Sequence, residues 1–139
     1  MAICVAFDRA ERFEEIPGCP LARAGDPRDE QACAGCRFNV LHPGAPGPGC
    51  HLHVSRAGHD AALAHLAAAA PDGHKKLLAV VEAHRGGAVE DPAELRTVRE
   101  VAARWAGILA TPEEHDIVVA LTRFSEAALL QREPVRVLS

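Results

Sequence analysis

The chain contains no tyrosine, one tryptophan and four phenylalanines, so large aromatic side chains cannot supply its core. Much of its 48% apolar content is alanine, which buries little area per residue. Leucine, valine and isoleucine carried on helices must therefore do most of the burying. No apolar run approaches the ~18 residues needed to cross a bilayer, which excludes a membrane-spanning helix of ordinary kind. Positive charge is also scarce. Lys and Arg number 15 against 19 Asp and Glu, a formal net charge of −4, and the pI is near 6.0. That balance leaves no electrostatic footprint for nucleic acid or for an anionic membrane surface. The sequence holds no G-x-S-x-G, P-loop, dinucleotide fingerprint or H-E-x-x-H motif, and so names no catalytic residue. Its opening, MAICVAFDRAERFEE, has no basic stretch followed by a long apolar one. No secretory signal is expected there, and a cytoplasmic location is.

What the chain does have is a cysteine cluster. Cys19, Cys33, Cys36 and Cys50 follow the spacing C-x13-C-x2-C-x13-C, with His51 and His53 directly behind. A C-x2-C knuckle turns two thiolates toward one centre, and flanking cysteines complete a tetrahedral set of four sulfurs. In a reducing compartment, clustered thiols point to metal or redox work before structural disulfides. Three readings follow. A structural zinc ion suits four soft ligands, and His51 or His53 can replace one of the sulfurs. A 4Fe-4S cluster takes the same four cysteines, with the local glycines and Cys19-Pro20 allowing close backbone approach. The third reading is scattered thiols, or a C-x2-C dithiol cycling through a disulfide, without the βαβ setting that usually carries one. On a strand, residues two apart share a face, so His51 and His53 are on one side. Cys4 is left over in the apolar run ICVAF and reads as a small buried hydrophobe outside the metal set.

Organisation changes near residue 55. Residues 1–55 hold all five cysteines and six of the ten prolines. Such a stretch has too few large apolar side chains to order itself by burial, and a metal would supply the missing stabilisation. Ile3–Phe7, Arg37–His42 and His51–Val54 read as short strands, with PGAPGPG as a loop between the last two. Glu11–Glu15 and Asp26–Gln31 read as a helical turn and a solvated turn or short helix.

Residues 56–139 read as helices. The first spans about Gly58 to Ala70, and the second about Gly73 to His84, with Asp72 as N-cap and Gly86-Gly87 as the stop. The third begins at Asp91-Pro92 with Glu94 beyond, and carries Leu95, Val98, Val101, Ala102, Trp105, Ile108 and Leu109 at helical spacing. The fourth repeats that signal with Thr111, Pro112 and Glu114. It runs through Ile117, Val118, Leu121, Phe124, Ala128 and Leu129 to Pro134. A short connection makes the last two antiparallel. The fold class expected is mainly α: a bundle of about four helices with a Cys-rich, irregular or short-β metal-binding segment, the two packed as one unit.

The other histidines are weaker ligand candidates. His59 and His65 are six apart, off one helical face, and His74 and His84 sit at opposite ends of a helix. His115 lies among Glu113, Glu114 and Asp116, where a solvated acidic helix start explains the cluster. Lys75, Lys76 and Arg85 form too small a patch for nucleic acid. The function these observations imply is a metal-stabilised, zinc-bearing cytoplasmic module that binds or regulates a protein partner, with an iron–sulfur redox or sensor protein as the alternative.

Overall fold

Among the described residues, three of the four helices open on a proline, the residue whose missing amide costs nothing in a first turn. The computed structural model describes residues 3–7, 34–35, 39–45, 51–54, 56–84, 88–132 and 135–138. Within these, the helices are α1 (Arg56–Ala69), α2 (Pro71–Ala83), α3 (Pro92–Ala106) and α4 (Pro112–Gln131). The fold is mostly α, as the periodicity implies.

The strongest start signals produce the expected caps. Asp91 accepts a hydrogen bond from Ala93 N–H at 2.8 Å and begins α3. Thr111 and Glu114 form a full capping box at the head of α4. The start of α2 is different. Asp72 is not its cap; the helix begins at Pro71, and Ala70 occupies the cap position without a side-chain bond. Pro71 presets the helical φ, and Asp72 then sits in the first turn, where its charge favours the helix dipole.

Each helix packs against its neighbours in sequence, and α1 closes back on α4. The core joins Leu66 of α1, Leu77 and Val80 of α2, Leu95, Val98, Val101, Ala102 and Trp105 of α3, and Val118, Leu121, Phe124 and Ala128 of α4. Trp105 and Phe124 are fully enclosed. α4 is buried on more than one side, and its buried set adds Glu114, Ala120 and Ser125 to the expected stripe. Ser125 is tolerated there because its hydroxyl donates to the Leu121 carbonyl oxygen at 2.7 Å. The Leu95 end of α3 and the Ala128–Arg132 end of α4 line one groove, which makes the pair antiparallel as their short connection requires.

Short strands β1 (Ile3–Phe7), β2 (His51–Val54), β3 (Ala88–Val89) and β4 (Val135–Leu138) form an antiparallel sheet in the order β2-β1-β4-β3. Strands from both sides of residue 55 share it, and α4 lies against β1, β2 and β4. β1 and β2 match the expected spans. Residues 39–42 do not form the expected third strand; they enter a turn that runs to Ala45. Glu11–Glu15, Asp26–Gln31, Gly86-Gly87 and Pro134, where turns and helix stops are expected, lie outside the described residues.

Candidate functional site

The expected metal ligands Cys19, Cys33, Cys36 and Cys50 lie outside the described residues. His51 and His53 are on β2, which starts one position after Cys50 and pairs with β1. Ala34 and Gly35, the two residues inside the C-x2-C, have 3₁₀ backbone. A tight turn of this kind is what a knuckle requires. At Gly35 an added Cβ would meet nothing within 4 Å, so this glycine serves no packing need.

Residues 39–45 are organised by a side chain that the sequence did not flag. Asn39 is 4% exposed. Its side-chain amide donates to the carbonyl oxygens of His42 (2.9 Å) and Ala45 (3.0 Å), and its Oδ1 accepts from His42 N–H at 3.2 Å. Ala45 N–H also reaches the His42 oxygen at 3.0 Å. Gly44, at φ +77°, supplies the left-handed residue this closure needs. The signal was an asparagine three residues before His42-Pro43-Gly44, a turn-forming context and a poor strand.

That loop is fastened to the helices. Val40 and Leu41 pack against the core, and Arg123 of α4 donates to the Leu41 carbonyl oxygen at 2.6 Å. Val40 and Leu41 therefore have a fixed seat against the helices.

Two histidines of the helical half tie helices together. His84, just past α2, places Nε2 at 2.9 and 3.0 Å from the two carboxylate oxygens of Glu94 in the first turn of α3. His65 of α1 places Nδ1 2.6 Å from Oε1 of Glu114. Glu114 is 1% exposed, and its other oxygen accepts from Ala110 N–H at 2.6 Å and Thr111 N–H at 3.3 Å. Burial alone would raise its pKa; the Ala110 amide, His65 and the Thr111 amide outweigh burial and hold it below the ordinary value. Each oxygen of this carboxylate is thus committed to a cap or a helix–helix tie. His115 and Asp116 are largely exposed and 3.6 Å apart, in keeping with a solvated helix start. Among the described residues, no three His, Cys, Asp or Glu side chains converge in a way that would hold a metal ion.

No protein-family model, curated protein or solved structure matches the chain. Among the described residues, no helix is long and apolar enough to cross a membrane.

Proposed function

We propose that this protein is a metal-stabilised cytoplasmic binding or regulatory module that acts through contact with a protein partner. The observation that carries the reading is the four-cysteine pattern C-x13-C-x2-C-x13-C. Zinc is the favoured ion, held by Cys19, Cys33, Cys36 and Cys50, with His51 or His53 able to stand in for one sulfur. Three features support it. The interior of the C-x2-C has turn backbone, the loop beyond it is seated on α4, and β2 begins where the last cysteine ends. The donor set is soft and suits zinc without redox chemistry.

Elemental analysis of protein purified without oxygen tests the proposal. About one zinc per chain in a colourless sample is expected for one tetrahedral site. A brown sample containing iron and inorganic sulfide would replace zinc by a 4Fe-4S cluster on the same cysteines. Absence of both metals would overturn the metal reading.

A further inference from the structure

A groove of about 780 Å³ opens between the start of α3 and the end of α4. Leu95, Ala128 and Leu129 make its apolar floor, and Arg96, Arg99 and Arg132 line it from two helices. One carboxylate, Glu90, shares the lining, so cations outnumber it three to one. In a chain with net charge −4 this is a local reversal of sign. None of the three arginines forms an ion pair with a described residue. Arg96 and Arg132 are exposed, and Arg99 is half-buried.

Arg132 adds a second observation. It caps α4 in the left-handed region, at φ 57° and ψ 40°, the only described non-glycine residue with positive φ. Glycine or asparagine normally takes that position, because a Cβ there costs about 1 kcal/mol. Its N–H closes the last turn on the Ala128 carbonyl oxygen, so the residue that ends α4 also lines the groove.

We propose that this groove binds an acidic, amphipathic segment of a protein partner, with carboxylates on the arginines and leucine-like side chains on the floor. Guanidinium groups pair with carboxylates through two parallel hydrogen bonds, and three of them spread over two helices suit several separate carboxylates. A compact phosphate is less well served. In the first turn of α3, Pro92 has no amide N–H to offer, and that of Ala93 already donates to the Asp91 carboxylate, whose charge opposes a phosphate there. Arginine beside an apolar floor is also the composition of a protein-binding hot region. This inference rests on the partner-binding half of the function proposed above and is independent of the metal.

The test is a titration of the isotope-labelled, metal-replete full chain with a short synthetic peptide of repeating Glu-Glu-Leu-Leu, followed by amide chemical shifts. Shifts confined to residues 95–99 and 128–132 are expected, with binding weakening as salt rises. The variant Arg96→Glu/Arg99→Glu should weaken binding by about tenfold or more, and the exposed-site pair Arg96→Gln/Arg132→Gln should do so if the first does not fold. A peptide with Lys in place of Glu should not bind. Three results would overturn the proposal: no groove shifts at millimolar peptide, binding unchanged in the arginine variants, or full displacement by equimolar inorganic phosphate. Metal content measured on the same sample keeps the outcomes apart, since loss of peptide binding with metal present rejects the groove alone.

Discussion

His65 on α1 and Glu114 on α4 stand 49 positions apart in sequence, with Nδ1 and Oε1 only 2.6 Å apart. The same carboxylate closes the capping box of α4, so one side chain both starts a helix and ties it to another. Removing it would leave two backbone amides without their acceptor. Glu114→Ala should lower stability by about 1–3 kcal/mol, the cost of stranding buried donors, read by denaturant unfolding. His65→Ala should cost less, about 1 kcal/mol, because the cap survives.

The pH dependence of that effect has a defined sign. The folded-state pKa of Glu114 lies below its ordinary value of 4.5. Its ionised form therefore contributes stability above 4.5, and the contribution is lost as pH falls through the lower folded value. The gap in melting temperature between wild type and Glu114→Gln should be widest near neutrality and shrink toward acid. A gap that stays constant across that range would show that the charge of Glu114 plays no part.

Gly73 is buried in the first turn of α2, yet an added Cβ would meet Val101 at 3.7 Å and Ala70 at 3.9 Å, ordinary contact distances. Gly73→Ala should raise stability by about 0.5–1 kcal/mol, from reduced unfolded-state entropy and better helix propensity. A fall in melting temperature would mean that α2 and α3 approach more closely than these distances imply.

The loop closed by Asn39 should separate from the helices without unfolding them. Asn39→Ala removes three hydrogen bonds and Arg123→Ala removes the seat on α4. Either variant should speed proteolytic cutting within residues 39–45 while helical circular dichroism is kept, because the caps and apolar faces of α3 and α4 do not depend on the loop. Loss of the helical signal in either variant would place the loop inside the cooperative core.

Metal content should sort the cysteines. Cys19→Ala, Cys33→Ala, Cys36→Ala and Cys50→Ala should each deplete the bound metal, since a soft tetrahedral site tolerates the loss of one thiolate poorly. Cys4→Ala, on β1, should leave metal content unchanged. If His51 or His53 supplies the fourth ligand, one of the four cysteine variants will be silent and the matching His→Ala will not. Full metal retention in all four would reject the cluster.

What was legible in the sequence is what neighbouring residues control. Asp91-Pro92 and Thr111-Pro112-x-Glu114 start α3 and α4 because a cap and a preset φ act within one turn. The α3 stripe from Leu95 to Trp105 is buried because a period of 3.6 places those residues on one side. Local chemistry ranked less well where two signals overlapped, as at Pro71 and Asp72, or where the strand reading of residues 37–42 competed with the turn preference of Asn39.

Tertiary structure decided the rest. Nothing near Glu114 in the sequence says that His65 will reach it, and nothing near Arg123 announces the carbonyl of Leu41. Nothing in the sequence singles out Arg96 and Arg99; they line a groove only because α4 brings Arg132 and Leu129 across from them. β4 acquires its role from β1 and β3, both remote in the chain. A cap acts within one turn and an apolar period repeats every turn, so local sequence carries both. Ties between helices depend on which faces meet, and that is set by burying the whole apolar surface at once.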